Sequence, residues 1–315
     1  MSTQIVERIL RALAYADIFE YPLTELEIYS QVVDEGFSFV DFLEILRNDS
    51  KINQLLETKN GFWFFKGRTE LINTREERYG HSLTKLKIAQ RGVKLLTWVP
   101  FIKFISISNS LAWYNAKKDA DIDLFISIKD GRLFFTRFLI TFILSIFGLR
   151  RYGVNISDKL CLSFYITPKE YDLSNVKIIE DDIYLAYWIS QVLPIYNFQE
   201  FEKFGLSNLW VRKFIAQYKP KDSSNRVIVV DSYVSLVFKR FFELIFSGFV
   251  GDFFEKIFKF IQMRKFSLNT RSLSRYNDTR VVISDSMLKF HESDRRLYYR
   301  DKFIEKLKEK NISYE

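Results

Sequence analysis

Apolar residues recur at three- and four-residue steps over 4–17 (Ile5, Ile9, Leu10, Leu13, Ala14), the spacing of a helix with one buried face. Tyr21-Pro-Leu-Thr24 ends that element. Thr24 with Glu27 three residues later predicts a capping box opening a helix over 25–33. After a break at Gly36, Ser38 and Asp41 start a third helix that reaches Arg47. Two strand-like runs, 53–57 and 62–65, flank Thr58-Lys-Asn-Gly61, and Asn-Gly is the strongest short hairpin signal. Three helices and a hairpin predict a winged-helix-like module over 1–75. Residues 70–97 then read as a long charged helix, with Gly80 and Gly92 as the points where it could break. Its span over 76–98 is the expected linker helix.

The period next falls to that of strands. Phe104, Ile105 and Ile107 form one apolar run, Ser108-Asn109-Ser110 a small polar turn, and Leu111–Asn115 room for one helical turn. A second strand runs through Ile122, Leu124, Phe125, Ile126 and Ile128. Residues 133–149 are almost wholly apolar but slightly short for a span of about 20 residues. They contain Arg137 and are read as a buried helix on the sheet. A third strand is expected over 159–166, with amphipathic helices over 182–196 and 207–218. Lys219–Asn225 is the clearest linker. It separates a domain over 99–220 from a helical, basic region over 221–315. In that region Phe residues recur at helical steps from Phe238 to Phe258, with Lys and Arg between them, and Gly248 and Gly251 divide the stretch into two helices. Such a stripe can pack inward, self-associate or lie on an anionic membrane surface. Residues 280–291 read as strand, turn and strand, and 292–310 as a charged helix. The fold class is α+β, a mixed sheet with flanking helices.

The second strand opens with Asp121-Ile-Asp123. Side chains on a strand alternate, so these two carboxylates share a face. They repel each other unless a cation lies between them. Hard divalent ions such as Mg²⁺ take one or two protein carboxylates together with phosphate oxygens. The bland alternative is a solvated strand edge. For Ser108 and Ser110 it is turn formation alone, and for Lys117 and Lys118 a wet loop.

Strand, Ser108-Asn109-Ser110, short helix and a strand opening Asp121-x-Asp123 together resemble the signature of the nucleotidyltransferase superfamily, the group that includes DNA polymerase β. The resemblance covers roughly residues 100–170. It implies a nucleoside triphosphate held near Ser108, Asn109, Ser110 and Lys117, with Mg²⁺ on Asp121 and Asp123. It implies transfer of a nucleoside monophosphate to an acceptor, which could be a small molecule, a protein side chain or an RNA end. Two departures stand out. Asn109 replaces the family's glycine, in a turn where Asn tolerates left-handed backbone. The family's active members also carry a third carboxylate on a later strand. The strand 159–166 contains no acid, and Asp158 sits only at its edge. The alternative is therefore a decayed transferase fold that binds nucleotide or holds partners together.

Charge alters the reading of both ends. Residues 1–75 hold eight Lys and Arg against twelve Asp and Glu, although the whole chain is +8. Phosphate neutralisation supplies most nonspecific DNA affinity, so the N-terminal module is a poor DNA binder and a better packing module. The acidic module could dock on the basic tail within one chain or between two copies. Lys289, His291, Arg295 and Arg296 form a compact basic cluster that could hold phosphates or an RNA backbone; the bland reading is a solvated helix face. Arg150, Arg151 and Lys159 flank the third strand on similar terms. One Cys and two His leave no disulfide framework and almost exclude zinc. Cys161 reads as a packed residue and His81 as a surface one. No signal peptide is read at the N-terminus, and a reducing cytoplasm is the expected compartment.

Overall fold

Thr24 opens its helix as expected. Its hydroxyl accepts from the Glu27 amide, and the Glu27 carboxylate accepts from the Thr24 amide at 2.8 Å. The computed structural model describes residues 2–34, 36–153, 155–223, 226–267, 280–291 and 294–314. The first elements are α1 (Ser2–Ile18), β1 (Leu23–Thr24), α2 (Glu25–Val32) and α3 (Phe39–Asn48), the last capped by Ser38. One helix was not anticipated. Asp49 caps α4 (Ser50–Leu55), so only 56–57 of the first strand-like run is extended. β2 (Leu56–Lys59) and β3 (Phe62–Phe65) pair across Asn60-Gly61, both left-handed at φ 54° and 79°. β1 joins β3 to make a three-stranded sheet. The hairpin signal held because Asn and Gly reach that backbone region cheaply.

α5 (Leu71–Leu96) runs unbroken through both glycines. Gly92 lies close against the sheet: a Cβ there would lie 2.3 Å from Leu160 Cδ1 and force that buried side chain to move. Then come β4 (Ile102–Ile107), the single turn α6 (Asn109–Ala112), β5 (Ile122–Ile128), α7 (Leu133–Ile146) and β6 (Leu160–Ile166). β4 is antiparallel to β5, and β5 is parallel to β6 through α7. The protein is thus mixed α/β around a mixed sheet.

The next segment departs from expectation. The helix expected over 182–196 ends early as α8 (Ile183–Gln191), and β7 (Leu193–Tyr196) follows. Pro194 cannot continue a helix and has no amide to donate, which suits the sheet edge β7 occupies beside β4. α9 (Phe198–Leu206) precedes the helix expected at 207–218, which is reduced to a short 3₁₀ turn at Leu209–Lys213. Asn208 explains the break. Its amide donates to the carbonyls of Tyr171 and Phe204 and accepts from the Leu173 amide, bonds that a helix interior would not allow.

α11 (Phe249–Ser267) packs beside α7, and α10 (Tyr233–Ile245) leads into it through a corner at 246–248 that Arg132 holds. β8 (Val281–Ile283) and β9 (Met287–Phe290) extend the sheet, giving the order β7-β4-β5-β6-β9-β8. α12 (Arg296–Glu309) closes the chain; residues 292–293, where the sequence reading began this helix, lie outside the described residues.

The six-stranded sheet separates two cores. On one face Ile105, Ile107, Ile122, Leu124 and Ile126 pack on α5 and α7, with α10 and α11 outside. On the other, Phe104, Phe125 and Phe164 meet α8, α9, the N-terminal elements and α12. The acidic first module does dock on the basic last helix within the chain: α1 contacts α12, and Lys306 Nζ lies 2.8 Å from Asp17.

Among the described residues, no helix is long and apolar enough to cross a membrane. α7 buries Leu133, Phe134, Ile140 and Leu144 against the sheet.

Candidate functional site

β5 alternates as a strand must. Ile122 and Leu124 enter the α5/α7 core, which turns Asp121, Asp123 and Phe125 toward α8 and α12. β6 lies parallel beside it and pairs Asp123 with Cys161. Between the pairs Asp123–Cys161 and Phe125–Phe164, β6 advances three residues while β5 advances two. This bulge puts Cys161, Ser163 and Phe164 along one cavity wall, re-aiming side chains beside the carboxylates.

Ligand atoms of Asp121, Asp123 and Cys161 lie within 4.8 Å of one another, the one group of three such residues among those described. Burial first, and the Asp121 charge second, push the Asp123 carboxyl up to about 6. Two carboxylates this close oppose each other's ionisation. Burial, then Asp123 and Asp121, hold the Cys161 thiol up at about 12, so it stays protonated. A protonated thiol is neither a nucleophile nor a ligand for a hard cation.

Asn109 adopts the left-handed backbone at φ 57°. Its side chain adds something glycine could not. Nδ2 donates to Asp123 Oδ2 at 2.8 Å, and Oδ1 accepts from the Trp188 indole at 3.0 Å. The Ser108 amide donates to the Asp123 carbonyl at 3.0 Å, tying the turn to β5. The Ser108 side chain is buried, whereas Ser110 and the exposed Lys117 border open space.

Arg151, from the sequence only one of three cations flanking the third strand, reaches the carboxylate pair. Nη1 donates to Asp121 Oδ2 at 2.5 Å and lies 3.7 Å from Cys161 Sγ. It supplies one positive charge beside the two carboxylates. Asp158 and two further acids, Asp181 and Asp182, are engaged elsewhere and do not join the pair. Asp158 pairs with Lys85 at 2.6 Å, Asp181 with Lys213 at 2.6 Å, and Asp182 caps α8 and pairs with Arg296 at 3.0 Å. Lys85 is 1% exposed, and its ammonium also donates to the carbonyls of Lys118 and Ala120 at 2.9 and 2.7 Å. It therefore clamps the loop that delivers Asp121.

Two cavities meet at Asn109, Tyr184, Trp188 and Tyr299. One, of about 430 Å³, runs from Asp123 and Arg151 to Lys289, His291 and Arg296. The other, of about 480 Å³, runs from Asp121 and Lys117 to Arg78 and Asn115. Tyr184 and Tyr299 stack between them at 5.4 Å and 10°. The basic cluster read from the sequence does face the carboxylates, but most of it is already committed. Asp294 accepts from Arg296 at 2.8 Å and lies 3.4 Å from Lys289. Burial, then Arg296, lowers Lys289 to about 8. Burial, then Lys289, lowers His291 to about 4, leaving a neutral ring at pH 7. Arg295 is exposed at the cavity rim.

No family model, curated protein or solved structure matches this chain.

The donor set can be tested against the divalent cation that the nucleotidyltransferase resemblance implies. Two carboxylate oxygens on one strand face suit Mg²⁺, which completes its shell with water and phosphate. Cys161 does not contribute. Arg151 competes for Asp121 and would have to share it. The residues fit a two-carboxylate site whose remaining ligands would have to be water and oxygens of a phosphate ligand.

Proposed function

We propose that the chain is a nucleotidyltransferase that binds a nucleoside triphosphate in the paired cavities and moves its nucleoside monophosphate to an acceptor hydroxyl. The observation that carries this reading is the convergence of Asp121 and Asp123 on one face of β5, beside the Asn109 turn, at the junction of two cavities. Asp121 and Asp123 would hold Mg²⁺, which would supply positive charge to offset the negative charge that builds up in phosphoryl transfer. Asn109 holds Asp123 in position. Tyr184, Trp188 and Tyr299 offer aromatic faces to a base, and Lys117 and Arg151 offer charge to the phosphates. The acceptor oxygen attacks the α-phosphorus, pyrophosphate leaves, and the acceptor proton passes to water or a substrate group.

The test uses nucleoside triphosphates labelled at the α-phosphate. Asp121→Asn and Asp123→Asn should each abolish Mg²⁺-dependent transfer while leaving the fold intact. Transfer that survives in the double variant overturns the reading. A second reading has a specific observation behind it. Cys161 stands beside Asp123 where an acid would complete the site, and Arg151 already neutralises Asp121. A protein that binds the nucleotide without transfer fits those two facts. Calorimetry showing Mg²⁺-dependent nucleotide binding without pyrophosphate release would select it.

A further inference from the structure

α10 and α11 leave an unusual surface. On α10, Val234, Val237, Phe238, Phe241, Leu244 and Ile245 recur at three- and four-residue steps and are all exposed. On α11, Phe249, Val250, Phe253, Ile257, Phe260 and Ile261 do the same, with Phe249 at 85% and Phe260 at 66% exposure. The neighbouring helix α7 adds Phe138, Phe142 and Ile146. Exposed apolar surface on this scale marks an interaction site.

Both helices are also tied down. The Arg132 guanidinium donates to the carbonyls of Phe246, Ser247 and Gly248 and to Asp252, tying the corner between the helices to the start of α7. Glu255 accepts from the amides of Phe134 and Phe135 at 2.9 and 2.8 Å, and Glu243 accepts from the Phe101 amide at 2.8 Å. Gln262 donates to the Phe134 carbonyl at 2.7 Å. The inner face is thus fully engaged, and the outer face is presented in a fixed geometry.

Charge is sorted between the two faces. The three acids of these helices, Glu243, Asp252 and Glu255, are all spent on the inner contacts just named. Arg240, Lys256, Arg264 and Lys265 are exposed, and among the described residues none of them forms an ion pair. With 3.6 residues per turn, Lys256 and Arg264 fall within the apolar stripe of α11, and Lys265 flanks it, as Arg240 flanks that of α10. A second copy is a poor occupant, because a twofold contact places the same patch on both sides and sets cations against cations. A sheet of anionic headgroups over acyl chains matches both components.

We propose that the α10–α11 face docks on an anionic phospholipid surface, with its aromatic side chains in the interfacial layer and Arg240, Lys256, Arg264 and Lys265 among the headgroups. The protein then works at the membrane without crossing it.

The experiment is co-sedimentation of the full chain with vesicles of phosphatidylcholine alone and of an equimolar mixture with phosphatidylglycerol. Binding is expected on the mixed vesicles, weakening as salt rises. Reversing the four cations (R240E, K256E, R264E, K265E) should weaken binding at least about a hundredfold, since each near-surface cation is worth roughly fivefold. F249S with F260S should abolish it. Both variants change exposed side chains, and unaltered circular dichroism and melting confirm that each has folded. Absence of binding to the mixed vesicles overturns the proposal. So does equal binding by the charge-reversed variant, or a wild-type dimer in sedimentation equilibrium that F249S with F260S dissociates while vesicle binding persists.

Discussion

Lys85→Met removes an ammonium that sits at the end of a fully buried stem while preserving that stem. Its three donors are spent on the Lys118 carbonyl, the Ala120 carbonyl and Asp158. Hydrogen bonds from a charged donor are worth about 1.5–3 kcal/mol each. These values are net of desolvation, so the two carbonyl bonds contribute at most about 3–6 kcal/mol, and methionine recovers part of that by filling the buried site with an apolar side chain. Asp158 is nearly half exposed, so its pairing adds at most about 1 kcal/mol, and the freed carboxylate returns to water. Both carbonyls also keep weaker donors, the Ser157 hydroxyl at 3.4 Å and the Asp158 amide at 3.3 Å. The balance is a net loss of about 2 kcal/mol, read from urea unfolding followed by tryptophan fluorescence. Asp158→Asn keeps both carbonyl bonds and should cost under about 1 kcal/mol. If Asp158→Asn costs as much as Lys85→Met, the ion pair, not the carbonyl clamp, holds the loop before Asp121, and the reasoning fails.

Because burial and Asp121 raise the Asp123 carboxyl above its usual 3.8, the folded state holds that proton more tightly than the unfolded chain. The stabilisation is complete below the unfolded value and is lost as pH rises through about 6, so Asp123→Asn should melt higher than wild type at pH 8. The advantage should shrink toward pH 4, and a pH-independent difference would contradict it. Gly251→Ala gains up to about 1 kcal/mol of helix propensity, but its Cβ would lie 1.8 Å from the Phe246 carbonyl oxygen. That atom is backbone held by Arg132, so thermal unfolding should show a net loss of about 2 kcal/mol, and neutrality would mean that the corner is loose.

Local chemistry made much of this fold legible. Thr24 with Glu27, Ser38 before α3 and Asn60-Gly61 each fix backbone geometry within four residues, so no distant partner can overrule them. The strand–turn–helix–strand order around Ser108–Ser110 was legible because the period changes there, and Asn109 takes the left-handed backbone anticipated for it. What was missed depended on tertiary partners. Leu193–Tyr196 continues a helical pattern, yet β4 recruits it as a strand. Asn208 stops a helix only because Tyr171 and Leu173 arrive beside it. At the site, sequence alternation brought Asp121 and Asp123 together, but nothing local showed that Arg151 would fold back on Asp121. Nor could it show that Lys85 and Lys213 would claim Asp158 and Asp181.

Arg151 and Cys161 together define what the site can do. A third carboxylate at position 161 would add a negative charge to a pair that already resists full ionisation. The protonated thiol adds none, and one guanidinium then suffices to offset Asp121. The ion pair is partly solvated, with Arg151 at 43% side-chain exposure, so its contribution is small and its release inexpensive. On the proposed reading Asp121 and Asp123 would hold a divalent cation, which supplies twice the charge and oxygen coordination, and the partly exposed Arg151 would yield Asp121 to it and stay at the cavity rim, where its charge would suit a phosphate. The same side chain can therefore hold the two carboxylates together and, on the reading proposed above, serve an anionic ligand, so the absence of a third acid is compatible with the proposed nucleotide binding.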